Sequence, residues 1–341
     1  MKTFIHKLLW GCLLLLISAS GFSQDIHFSQ FFETPLLRNP ALAGIFNGDL
    51  RIQAVYKTQW GSVTVPYQTG SFNGEYKLQV GRGNDFLTIG GEILYDKAGT
   101  VALTSTHILP VANFHKSLSS ERNMYLSVGF MGGIVQRKLD QSKITTNNEF
   151  NGIGFDPSLG NGETFANSAY TYMDGSAGVS LNSSIGESDE NNFFIGAAYH
   201  HFNKAPKVSF YGDKNIEMIP KIVFSAGLKL AVTDYSSVTF QGDYSKQGNS
   251  TEMIGGMMYS YKLDDILDPR YILHAGALIR WKDAIIPVVK LETRPLAFAV
   301  SYDVNVSQLK SASTGRGGFE LSITYQTSFS RANEEVRCPR F

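Results

Sequence analysis

The chain has 341 residues, with 30 Lys plus Arg against 30 Asp plus Glu and a formal net charge of zero. That balance leaves no basic excess to hold nucleic acid. Only two cysteines are present, Cys12 and Cys338, so no internal disulfide framework can staple the fold once the first is removed with a leader.

The leader comes first. Lys2 and Lys7 precede an apolar run from Leu8 to Ile17, then small and polar residues to Ser23. Charged, oily and small in that order describes a secretory signal peptide, residues 1–23, with Gly21 and Ser23 suited to the cleavage site. The apolar run is too short for an ordinary membrane-spanning helix, and no second apolar run of spanning length occurs later in the chain. Cys12 precedes most of the oily run, a poor position for lipid attachment. Removing Lys2 and Lys7 leaves 28 cations against 30 anions, a mature charge near −2.

Residues 24–47 carry Phe28, Phe31, Phe32, Leu36, Leu37, Leu42 and Phe46 with two prolines. So many apolar side chains are costly in water. The segment is expected to pack in the periplasmic mouth of the domain C-terminal to it, or against a partner. Asn39-Pro40 marks a turn, and Gly44 permits a tight bend.

From 48 to 329 the dominant signal has period two. Phe319, Leu321, Ile323 and Tyr325 alternate with Glu320, Ser322, Thr324 and Gln326. Leu296, Phe298, Val300, Tyr302 and Val304 alternate with Ala297, Ala299, Ser301 and Asp303, and Ile222, Phe224, Ala226, Leu228 and Leu230 with Ser225, Gly227 and Lys229. This periodicity predicts β-strands between an apolar and a wet environment. Fourteen strands are predicted, at 48–56, 68–77, 86–95, 102–114, 124–136, 170–182, 192–201, 221–232, 236–244, 251–262, 271–281, 284–292, 295–305 and 317–329. Many have the roughly ten residues that a tilted membrane strand needs.

A soluble sandwich would also alternate. Three observations favour an all-β transmembrane antiparallel barrel of about fourteen strands. The second face holds Gly, Ser, Ala, Gln and Thr more than Lys and Glu. Charged residues are only 18% of the chain. The gaps sort by parity: 137–169, 202–220 and 306–316 come after strands 5, 7 and 13, whereas the shortest turns, at 233–235 and 293–294, come after strands 8 and 12. Outer-membrane barrels have long outer loops and short periplasmic turns. Lys282-Asp283 is the exception, a tight turn on the long side. A short periplasmic tail, 330–341, ends the chain and holds Cys338, which has no internal mate and is therefore a candidate for an intermolecular bond.

Several motifs then align. Gln24-Asp25-Ile26-His27-Phe28-Ser29-Gln30, Asn39-Pro40-Ala41-Leu42-Ala43-Gly44 and Gln59-Trp60-Gly61-Ser62 resemble the opening of the PorP/SprF family of type IX secretion membrane proteins of Bacteroidetes. Phe155-Asp156-Pro157-Ser158-Leu159 with Gly162-Glu163 is similar to the family's long-loop segment, and Cys338-Pro339-Arg340-Phe341 to its ending. Ile26 departs from the family's usual proline. The resemblance implies a fourteen-stranded barrel in a Gram-negative outer membrane, with a role in type IX secretion or gliding. It implies partners among other secretion components, periplasmic ring or peptidoglycan-binding scaffolds, or the C-terminal domain of a secreted adhesin, beside outer-membrane lipid.

For partner binding the candidate residues are Phe28, Phe31, Phe32, Asn39, Pro40, Gly44 and Cys338. No catalytic, cofactor or metal site is predicted. His200 and His201 are adjacent on a predicted strand and should face opposite sides. No HExxH or CxxC motif occurs, and the glycine clusters lack a strand–helix phosphate-loop context. The acidic runs 187–190 and 264–268 read as solvated turns. A transport channel is the rival function. A barrel hydrolase with a Ser–His pair on neighbouring strands is a third.

Overall fold

The computed structural model describes residues 25–341, apart from 60, 62–64, 82, 187, 207, 214–215, 308–315 and 330–340. The proposed leader and Cys338 therefore lie outside the described residues.

Fourteen antiparallel strands, each paired with its sequence neighbours, close into a barrel. They are β1 (Leu50–Gln59), β2 (Tyr67–Val80), β3 (Asp85–Ala98), β4 (Leu103–Ser119), β5 (Met124–Lys138), β6 (Ala169–Ile185), β7 (Ser188–His200), β8 (Lys221–Thr233), β9 (Ser236–Gln247), β10 (Ser250–Lys262), β11 (Tyr271–Arg280), β12 (Ala284–Thr293), β13 (Leu296–Asn305) and β14 (Arg316–Thr327). The seam pairs β1 with β14, from Leu50 opposite Thr327 to Gln59 opposite Gly318. Closure leaves no sheet edge, which lets a sheet survive in a medium that cannot hydrogen-bond to it.

Burial alternates as the sequence requires, with polarity inverted relative to a soluble protein. On β13 and β14, Phe298, Val300, Tyr302, Leu321 and Ile323 lie exposed on the outside, whereas Ala299, Ser301, Asp303, Glu320, Ser322 and Thr324 are buried inside. On β8 and β9, Ile222, Phe224, Phe240 and Tyr244 face out, and Ser225 and Asp243 face in. An apolar exterior on a polar interior fits a lipid-facing wall. Among the described residues no helix is long and apolar enough to cross a membrane.

The connections define two rims. One carries those at 81–84, 120–123, 186–187, 234–235, 263–270 and 294–295; the other carries those at 60–66, 99–102, 139–168, 201–220, 248–249, 281–283 and 306–315. We call these the short-turn and long-loop rims. Length separates them less cleanly than the sequence predicts. Strand β9 runs on to Gln247, making 248–249 a second tight turn on the long-loop rim, while 263–270 is a longer turn on the other. The predicted strand stops at Tyr244 because Ser245-Lys246-Gln247 has no apolar face. Ladders extending past the lipid band need none. In the same way β7 starts at Ser188, so residues 188–190 of the acidic run belong to a strand, and Glu190 pairs with Lys262 at 2.8 Å. Asp264 and Asp265 accept backbone N–H bonds inside their own turn, and Asp268 lies 3.1 Å from Arg294.

Candidate functional site: a plugged lumen and its two rims

Residues 25–49 do more than close a mouth. They run through the lumen from the long-loop rim, where Asp25 sits, to the short-turn rim, where Asp49 leads into β1. Local chemistry shapes this plug. A 3-10 turn at Phe31–Glu33 precedes a short helix α1, Pro35–Arg38, and a second 3-10 turn at Pro40–Leu42. Both prolines sit in a first helical turn, where no N–H is missed. Asn39 caps the second turn by accepting from Ala41 N at 2.8 Å.

Apolar plug side chains meet apolar patches on an otherwise polar inner wall. Phe28 packs with Val55 and Leu94, and Phe31 with Ile254, Met258, Leu278, Ile286 and Val288. Leu36 packs with Leu109, Val111 and Met131; Leu42 and Ile45 pack with Phe194 and Phe341. Each such side chain contributes about 1.5–3 kcal/mol relative to exposure in water.

Charged groups fix the plug's register. The buried Glu320 carboxylate accepts from the backbone N–H groups of Ser29 and Gln30, each at 2.7 Å, and lies 3.4 Å from Lys57. Lys57 also donates to the His27 carbonyl. Ser29 Oγ bonds Asp303 at 2.8 Å and accepts from Arg280, which is itself paired with Asp303. Glu33 accepts from Lys290 and Gln53 at 2.7 Å and from Thr324 at 2.8 Å. Arg38 grips Asp243 through both Nε and Nη2, at 2.7 and 2.6 Å. Bidentate, desolvated pairs of this kind are the strong ones, and losing one partner is costly.

The Asn39-Pro40-Ala41 stretch lies on small residues of the wall. Asn39 Nδ2 donates to the Val179 and Ala197 carbonyls. A Cβ at Gly178 would stand 1.9 Å from Asn39 Oδ1, and one at Gly129 would stand 2.5 Å from the Pro40 carbonyl. Asn113 Nδ2 donates to the carbonyls of Ala41 and Ala43. Gly44 has φ +81°, donates to Glu75 at 2.7 Å, and has no room for a side chain, since a Cβ would meet Thr88 Oγ1 at 2.0 Å. Phe46 lies under both Arg51 and Lys77, each 4.4 Å from the ring centre.

At the long-loop rim His201 ties the start of the plug to the wall. Its Nε2 bonds Asp25 at 2.7 Å and its Nδ1 bonds Asp174 at 2.8 Å. Burial alone would lower the imidazole pKa; the bonds to Asp174 and Asp25 outweigh it and lift it to about 9. Burial pushes the Asp25 carboxyl up, but the His201 bond and the Lys221 charge outweigh that and hold it far below its usual range. The expectation that His200 and His201 face opposite sides fails here. Strand β7 ends at His200 and His201 turns to φ +57°, so both rings are buried inside, His200 bonding Ser176 and the Arg38 carbonyl.

On the short-turn side the plug roofs a vestibule of about 1030 Å³, lined by Phe32, Leu42, Arg51, Phe194, Lys229, Lys262, Glu292 and Phe341 among others. Ser260, His274 and Glu292 also line it, with Ser260 Oγ 2.7 Å from His274 Nδ1. Glu292 lies 3.2 Å from His274 Nε2, on the other side of the ring from Ser260. The Ser127–His115 pair, 2.7 Å apart, is fully buried beside the plug. Among the described residues no cluster of His, Cys, Asp or Glu side chains could hold a metal ion.

Of the predicted partner-binding residues, Phe28, Phe31, Asn39, Pro40 and Gly44 are buried in the plug, and Phe32 is half-buried on the vestibule roof. Sequence reasoning missed their partners on the wall. Lys57, Glu75, Asp243, Arg280, Lys290, Asp303 and Glu320 are charged residues at inward parity on their strands, and that was the available signal.

The same architecture recurs among solved proteins. The Ralstonia pickettii toluene transporter TbuX superposes with a TM-score of 0.51 at 10% identity, over 87% of this chain and 94% of that one. A deltaS2 mutant of the monoaromatic hydrocarbon channel TodX gives 0.51 at 11% identity, over 87% and 94%. These likenesses show the outer-membrane barrel fold alone. No curated protein matches the sequence. The family described as type IX secretion system membrane protein PorP/SprF matches residues 20–325. With its closed fourteen-stranded wall, this chain belongs to the PorP/SprF family of type IX secretion system membrane proteins.

Proposed function

We propose that the protein is a docking platform of the type IX secretion or gliding machinery in the outer membrane. It would hold a secreted adhesin or a periplasmic scaffold, not conduct solute. The observation that carries this reading is the plug, which fills the middle of the lumen and is held by buried ion pairs to β9 and β12 and by hydrogen bonds to charged side chains of β1, β11, β13 and β14. A barrel so closed offers its rims for work. The short-turn rim, where β1 begins, faces the periplasm in this reading, after removal of residues 1–23. The vestibule favours the rival, a solute channel, because it opens a way part of the distance along the lumen.

The test is conductance of the purified protein in planar bilayers, together with recovery of secretion components after crosslinking in intact cells. The docking reading expects no steady conductance and recovery of a type IX partner. Open-channel currents without any such partner would replace it with the channel.

A further inference from the structure

The strongest unassigned feature lies on the long-loop rim. Residues 146–163 form a compact hairpin built from polar bonds. Thr146 and Glu149 form a capping box, Thr146 Oγ1 bonds the Asn161 carbonyl, and Phe150 bridges Phe155. At the tip, the Ile153 and Gly154 N–H groups both donate to Asn151 Oδ1 at 3.0 Å. Tyr211 and Phe165 brace one side, with rings 5.0 Å apart and Tyr211 donating to Glu163.

This well-bonded hairpin presents apolar side chains to water. Ile153 is 96% exposed, and Phe150, Phe155 and Leu159 are each more than half exposed. A preorganised apolar tip has little entropy still to lose on binding, which is how anchor residues gain affinity. Its charge narrows the occupant. From 144 to 168 the chain has Glu149, Asp156 and Glu163 and no Lys or Arg, a net charge of −3; Glu149 is buried in the capping box, and Asp156 and Glu163 border the apolar tip. An acidic border disfavours anionic headgroups and favours a basic surface.

We infer that the 146–163 hairpin is the outer docking element for an exported polypeptide with an apolar pocket bordered by Lys or Arg. This rests on the docking reading above and adds which rim does the work and the partner's chemistry.

The experiment uses the full-length protein in outer membranes, with a photocrosslinking amino acid at Ile153 or at Leu267, which is 95% exposed on the opposite rim. The polypeptide crosslinked at Ile153 is then purified and its affinity for the barrel in nanodiscs measured. Capture alone does not count. Support requires that Phe150→Ser with Phe155→Ser weaken binding at least tenfold, that Glu163→Lys and added salt also weaken it, and that barrel insertion stay unchanged. Crosslinks from Ile153 to lipid or to a second copy of this chain overturn the inference, as does binding indifferent to the Phe substitutions. If Leu267 captures secretion components and Ile153 captures nothing, the hairpin assignment falls while the docking reading stands. If neither does, both fall.

Discussion

Replacing Glu320 with Ala should release the plug and leave the barrel standing. The carboxylate is fully buried and accepts two charge-assisted bonds from the plug backbone, at Ser29 and Gln30, with Lys57 3.4 Å away. Truncation orphans both N–H groups and leaves Lys57 with only the His27 carbonyl. Breaking a buried pair of this kind costs about 3–5 kcal/mol, which is on the order of a hundred- to a few thousand-fold in an opening equilibrium. The wall keeps every strand ladder, so insertion and heat resistance should be unaffected. Hydrogen exchange of the Ser29 and Gln30 amides in micelles is the assay. Their protection should fall by at least a hundredfold, with smaller losses near Glu75, and transient current steps should appear in planar bilayers. Glu320→Gln, which keeps one acceptor, should fall between. Protection within about threefold of wild type in the Ala variant would show that apolar packing alone holds the plug.

The wall and the rim make their own predictions. Phe240 and Thr239 are neighbours on β9, outward and inward. Phe240→Arg places charge against lipid at about 2–4 kcal/mol near the midplane, so its yield of folded barrel should drop, whereas Thr239→Arg should assemble normally; equal yields would reverse the assigned faces. The His201 latch is pH-dependent with a definite sign. Its pKa rises from about 6.5 on ordering to about 9, so its stabilisation, about 3 kcal/mol, is complete below about pH 6.5 and lost as pH climbs through about 9. Asp25 acts oppositely, losing its contribution only in acid below the ordinary carboxylate range. Exchange protection of residues 26–28 should therefore decline between pH 6.5 and 9 and not in His201→Phe; a flat profile in the wild type would remove the latch.

The wall is legible in the sequence and the plug only half so. Alternation such as Leu296 to Val304 fixes strand and face together, because a one-residue slip would put Asp303 in lipid. Strand ends are less legible: beyond the lipid band, at Ser245–Gln247 or Ser117–Ser119, either face can be polar. The 24–47 segment announces through its aromatics that it must be covered. What covers it is spread over the chain, as with Glu320 lying 291 residues from Ser29. No local pattern joins such residues, although each inward charge is visible as an exception on its own strand. His201 escapes a period-two reading because that period holds only as far as the strand does, to His200. Gly44 reads as a bend in the sequence, and its contact with Thr88 supplies the second reason that only glycine fits.

The plug's distribution of partners has a consequence for biogenesis. Its bonds reach β1 through Gln53 and Lys57 and β14 through Glu320 and Thr324, so residues 27–33, synthesised long before β14, cannot complete their contacts until the last strand has zipped onto the first. Contacts of such long sequence separation form late. Whatever escorts the nascent polypeptide across the periplasm must therefore shelter Phe28, Phe31 and Leu36 until the cylinder shuts around them.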